Sequence, residues 1–160
     1  MGRFTPHTTA RRSELRAETM AVDLLGNTVL LADKEVHEVR VFDAVRLEWG
    51  KSMVVDREPS LLVVDSEGRR LLVASQQLPD LAIYDLNART LLGAVALPRP
   101  PREVAVSPAG DDVAWAILPD GTLAKLDLAA RKLVLSFKLD RDLRGLAVYP
   151  DGNQVLAGDA

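Results

Sequence analysis

The feature that most constrains this chain is a period of 42 residues. Gly26, Gly68, Gly110 and Gly152 stand 42 apart at every step. Glycine fills 10 of 160 positions, so three further coincidences at one spacing arise by chance roughly once in 4,000. Three other columns keep the same beat: Val22, Val64, Val106 and Val148; Ala32, Ala74, Ala116 and Gly158; and Asp43, Asp85 and Asp127. The period runs from residue 18 to residue 160 with no insertion or deletion between copies.

Each unit has one internal grammar. A short apolar run opens it: Met20–Asp23, Leu62–Asp65, Val104–Ser107, Leu146–Tyr149. A tight turn follows, in which the periodic glycine is expected to supply a positive φ. A second run comes next: Val29–Ala32, Leu71–Ala74, Val113–Ala116, Val155–Gly158. Both runs are apolar at nearly every position, the pattern of strands buried on both faces. The third run, at Val39–Phe42, Leu81–Tyr84 and Leu123–Leu126, alternates better and ends on the periodic aspartate. A longer fourth run occupies Glu48–Val55, Thr90–Leu97 and Lys132–Leu139, and a polar or proline-rich link closes the unit at Asp56–Ser60, Pro98–Arg102 and Asp140–Arg144. Glycine or proline every 8–12 residues excludes a helical repeat. Four short antiparallel strands per unit, stacked face to face, make the blade of a β-propeller. The expected fold is therefore all-β, with complete blades at 18–59, 60–101 and 102–143 and a partial one at 144–160.

The motifs resemble the YVTN-type (WD-like) β-propeller repeat family. Ser107-Pro108-Ala109-Gly110 and Tyr149-Pro150-Asp151-Gly152 are similar to its Ser-Pro-Asp-Gly turn, and Ala82-Ile83-Tyr84-Asp85 to its third strand. Arg89 and Arg131 stand where that family often has lysine. The WD-type repeat fits less well, because no Trp-Asp dipeptide ends the third strand. The resemblance implies a fold and no activity.

Three and a half blades do not close a ring, since known propellers have about four to eight. An open arc exposes an apolar blade face at each end. The ring is expected to be finished by more of a longer propeller or by another chain, two copies giving about eight blades. Residues 3–10 suit an outermost strand lent to the last blade, where Pro6 is tolerable. Residues 10–18 are equally suited to a short helix. Residues 1–17 form a basic arm, with Arg3, Arg11, Arg12 and Arg16 against Glu14; a solvated terminus and a grip on phosphate or an acidic partner both fit it.

Catalytic groups are scarce. The absence of cysteine excludes disulfides, thiol nucleophiles, iron–sulfur clusters and covalent c-type haem. His7 and His37 have no partner set around them, and Asp111, Asp112 and Asp120 read as turn residues rather than calcium ligands. The periodic aspartates suit turn amides better than acid–base work. Trp49 and Trp115 are expected to fill spaces between blades. No cofactor or metal is expected. A net charge of −3 argues against electrostatic binding of nucleic acid. No run of 18 apolar residues occurs and the N-terminus lacks an apolar signal core, so a cytoplasmic protein without membrane contact is expected.

One periodic set has functional colour. Arg57, Arg99 and Arg141 recur in the links between blades, with Arg102 and Arg144 as a shorter series beside them. The links share a propeller face with the loops between second and third strands, so these arginines are expected to line one rim as a ligand- or partner-binding set for anions. Asp56, Asp140 and Asp142 temper their field, and a salt-bridged, solvated rim is the plainer reading. The expected function is a non-catalytic scaffold for protein binding or self-association. The alternatives are a fragment or subunit of a propeller enzyme of lactonase, lyase or oxidoreductase type, and a designed or truncated propeller fragment.

Overall fold

The computed structural model describes residues 19–152 and 154–159. The expectations for the basic arm, the residue 3–10 strand and the residue 10–18 helix lie outside them. The first blade comprises β1 (Met20–Asp23), β2 (Thr28–Asp33), β3 (Glu38–Asp43) and an outer strand in two pieces, β4 (Glu48–Trp49) and β5 (Met53–Val54). The second has β6 (Leu61–Val64), β7 (Arg70–Ala74), β8 (Asp80–Asp85) and β9 (Thr90–Ala96). The third has β10 (Glu103–Val106), β11 (Val113–Ile117), β12 (Thr122–Asp127) and β13 (Lys132–Lys138). A two-stranded sheet of β14 (Leu143–Val148) and β15 (Val155–Asp159) follows. Every pairing is antiparallel and, apart from β5 on β3, between consecutive strands, as in propeller blades.

The 42-residue length hides one internal shift. In the second blade Leu61 pairs with Ala74 and Ala74 with Leu81. In the third, Glu103 pairs with Ile117, and Ala116 with Ala124. The turn after β10 is one residue longer and the loop after β11 one residue shorter, so the total is unchanged. Asp112, at φ 57°, lies in the longer turn. A one-residue slip moves side chains to the opposite face. Ala116 therefore belongs to the face opposite Ala74, and the apparent alanine column is not one structural column.

Two other expectations need correction. Gly26 does not take a positive φ; the left-handed residue of that turn is its neighbour Asn27, at φ 52°. Asparagine tolerates this conformation through local hydrogen bonding. The first blade's outer run is also not continuous. The later outer strands each carry a bulge, at Leu92 and Val134, where partner register skips one residue. The corresponding stretch of the first blade starts at Gly50, where the strand breaks between β4 and β5.

Two apolar clusters hold the arc together, one at each interface between complete blades. Leu30, Val39, Met53 and Val55 of the first blade meet Leu62, Leu71, Val73 and Tyr84 of the second. Leu72, Leu81, Ile83 and Val95 of the second meet Val104, Ala114, Leu126 and Leu128 of the third. Full burial of each large aliphatic side chain stabilises the fold by about 1.5–3 kcal/mol. β8 is buried from Leu81 to Tyr84 on both faces because its blade is the one flanked by two complete neighbours.

The hairpin turns after the third strands share a geometry. Asp43 Oδ1 accepts from the amides of Val45 and Arg46 at 2.9 and 2.8 Å, Asp85 Oδ1 from Asn87 and Ala88 at 2.8 and 2.7 Å, and Asp127 Oδ1 from Ala130 at 2.7 Å. The residue closing each turn is left-handed: Leu47, Arg89 and Arg131, at φ 58°, 57° and 55°. For an exposed leucine this is strained. Leu47→Asn is expected to raise stability by about 0.5–1 kcal/mol, read as a higher urea midpoint at unchanged slope. An unchanged midpoint would show that the turn carries no strain.

Candidate functional site

The links and the loops between second and third strands lie together along one rim of the arc, blade by blade. Backbone amides of Val55, Leu97 and Leu139 donate to carbonyls of His37, Pro79 and Gly121. The five arginines of this rim nevertheless occupy unlike environments. The Arg57 side chain is only 3% exposed. Its Nε and Nη2 donate to the two oxygens of Asp56 at 2.7 and 3.1 Å, and its Nη1 donates to Asp80. The Tyr84 hydroxyl donates to Asp56 Oδ1 at 2.6 Å and accepts from the Asp56 amide at 3.0 Å. Burial opposes the Arg57 charge, but its two carboxylate partners outweigh this and raise its pKa. The Arg57 hydrogen bond holds Asp56 below the usual carboxylate value, and burial is the main cause pushing Tyr84 up to about 12. This network joins the first blade to the second from inside the wall.

Arg99 is open to solvent. Its Nε stands 3.8 Å from Asp120 Oδ2 and its side chain is largely exposed. Arg102 pairs with Asp142, whose other oxygen lies 3.2 Å from Arg144 Nη2. The Arg102 bond first, then the Arg144 bond, depresses the Asp142 pKa. Arg99 and Arg102 flank a cleft of about 400 Å³ walled by Pro100, Pro101 and Pro119, with Ser60 and Gln76 as neutral polar groups. Arg141 sits at the corresponding link, and its backbone carbonyl closes against Gly121. The structure thus brings together two of the five predicted residues, with Arg144 joined to them through Asp142 and Arg57 separated in the blade interface. Guanidiniums beside rigid proline walls suit a carboxylate or phosphate of a ligand or partner.

The other candidates fall at turns. His37 is exposed and left-handed in its loop. Asp111 and Asp120 accept from the amides of Val113 and Thr122. Trp115 is buried, whereas Trp49 is half-exposed and packs edge-on against Phe42, centroids 5.3 Å apart, so it fills no space between described blades.

Sequence reasoning missed two sets of clasps. Arg89 Nη1 donates to the carbonyl of Lys51, in the break of the first blade's outer strand, at 2.6 Å, and Arg131 Nη1 donates to that of Leu92 in β9, each reaching back to the preceding blade. Arg70 donates to Asp65 at 2.8 Å and to Asp112 of the next blade. The 42-residue step linking Arg89 to Arg131, and Arg70 to Asp112, is the signal that could have found them.

No family model matches the chain, and no curated protein matches its sequence. Among solved structures it is similar to one titled Kuenenia stuttgartiensis Hydrazine Synthase. The TM-score is 0.79 at 18% identity, covering 96% of this chain and 45% of that one. The chain thus spans less than half the length of that neighbour. The likeness shows the β-propeller fold. No helix among the described residues is long and apolar enough to cross a membrane.

Proposed function

We propose that this chain is a non-catalytic β-propeller scaffold of YVTN type that works by assembly, associating with a second copy or another protein through the uncovered faces at its two ends. One observation carries this reading. Phe137 is 51% exposed, although its counterparts Met53 and Val95 in the preceding blades are 3% and 0% exposed. The opposite end presents Met20, Val22 and Trp49 in the same way. Such strips are stabilised by being covered. The periodic aspartates, bound to turn amides, act as fold elements, and Arg99 and Arg102 add polar recognition at the rim.

Light scattering of the full chain at micromolar concentration tests this. The expected mass is that of a dimer or larger assembly. Phe137→Asp should weaken association about a hundredfold or more, given the transfer energy of a buried phenylalanine. A monomeric wild-type chain would sink self-assembly. That outcome would favour a second reading, a segment of a larger propeller enzyme, which the 45% coverage of a synthase chain supports.

A further inference from the structure

We propose that a cavity of about 210 Å³ between the first and second blades is a binding site for an alkylguanidinium cation, held by the buried carboxylate of Asp23. Both blades are complete, so the inference is independent of the assembly reading.

Asp23 ends β1 and is only 7% exposed. Its Oδ1 accepts from the amides of Leu25 and Gly26 at 3.1 and 2.9 Å. Its Oδ2 has no partner among the described residues. Trp115 Nε1 is the one side-chain atom among those residues that is both sealed off and unpaired. The Asp23 Oδ2 therefore stays accessible, and Asp23 lines the cavity. Gly26 is not left-handed, yet a Cβ there would take the place of that oxygen. A Cβ at Gly68 of the second blade would stand 2.8 Å from Oδ1, so the carboxylate sits at the interface of the two blades. A buried carboxylate oxygen without a donor is unfavourable, and a cation offsets that cost.

The next repeat shows what such a carboxylate holds. Asp65, 42 residues on and 6% exposed, likewise accepts turn amides, those of Arg69 and Arg70. Its Oδ2 is taken by Arg70 Nε at 2.8 Å. Strand register makes Thr28 the counterpart of Arg70, since Thr28 pairs with Asp43 and Arg70 with Asp85. The first blade thus keeps the carboxylate and lacks its guanidinium. The cavity supplies the rest of the chemistry. The Thr28 hydroxyl and the Asn87 side-chain carbonyl are neutral acceptors for further N–H groups. Leu30 and Met53 offer an apolar wall to an alkyl stem. Arg89 also lines the cavity, but its Nη1 donates to the Lys51 carbonyl. Its charge beside a single carboxylate disfavours a divalent ion, and no set of three His, Asp or Glu side chains that could hold a metal occurs among the described residues.

The probe is n-propylguanidinium, titrated into the full isotope-labelled chain and followed by NMR at the amides of Leu25, Gly26 and Gly68. Saturable shifts are expected below about 10 mM, with none from neutral n-propylurea or from calcium at the same concentration. Asp23→Asn keeps the Oδ1 acceptor of the turn and removes the charge; it should weaken binding about tenfold or more. Thr28→Arg supplies the missing guanidinium from within the chain, so it should raise the urea midpoint and abolish the shifts. An acetylated Ala-Arg-Ala amide separates the two sources of this chemistry. Tighter binding than the probe assigns the site to an arginine side chain of a polypeptide, and weaker binding assigns it to a small free cation; both uphold the site. Four results would each overturn it: no saturable shift, equal binding of propylurea or calcium, unchanged affinity in Asp23→Asn, or a Thr28→Arg midpoint at or below that of the wild type.

Discussion

Gly121→Ala is expected to destabilise the chain by about 2–4 kcal/mol. Gly121 closes the short loop between β11 and β12 at φ +78°, and a Cβ there would stand 2.4 Å from the Arg141 carbonyl oxygen. The left-handed conformation alone accounts for about 1–2 kcal/mol. The rest comes from moving the link backbone, which has no flexible end to yield. Gly145→Ala is the matched control: its φ is +77°, with nothing within 4 Å of the added carbon. It should show the conformational part only. Urea unfolding of both variants separates the terms, and equal losses would show that the Arg141 contact is unimportant.

Arg57→Met should cost about 2–3 kcal/mol. Removing one member of a buried ionic set leaves its partners uncompensated, at roughly 3–5 kcal/mol when all are enclosed. Asp56 and Asp80 keep partial access to water, so the loss is smaller. The pH dependence identifies the cause. Arg57 lowers the Asp56 pKa below 3.8, so this contribution is present above that value and lost as pH falls through the depressed one. The gap between wild type and Arg57→Met should therefore narrow in acid. A gap independent of pH would mean that Arg57 acts through packing alone.

The repeat made the architecture legible because propeller blades are built from nearest-neighbour strands, and glycine, aspartate and proline mark where each turn falls. The limits of that reading are equally physical. Equal repeat length cannot reveal a turn lengthened by one residue and a loop shortened by one, so it aligns Ala116 with Ala74 although they face opposite ways. Arginines at one spacing point to one rim, yet their fates depend on what the neighbouring loop offers. Asp80 and Asp56 draw Arg57 inward, whereas Arg99 finds Asp120 only at 3.8 Å. The Phe137 contrast was foreseeable in outline from an unfinished ring.

The stacking of the blades also sets how the chain comes apart. Each blade touches only its neighbours, so cohesion accumulates interface by interface, as in a one-dimensional array. The middle blade has two such interfaces, and β7 and β8 sit at the centre of both. Fluctuations therefore begin at the termini of the arc and travel inward. Slow-exchanging amides should gather in the middle blade, and anything that seals either end stabilises strands it never contacts.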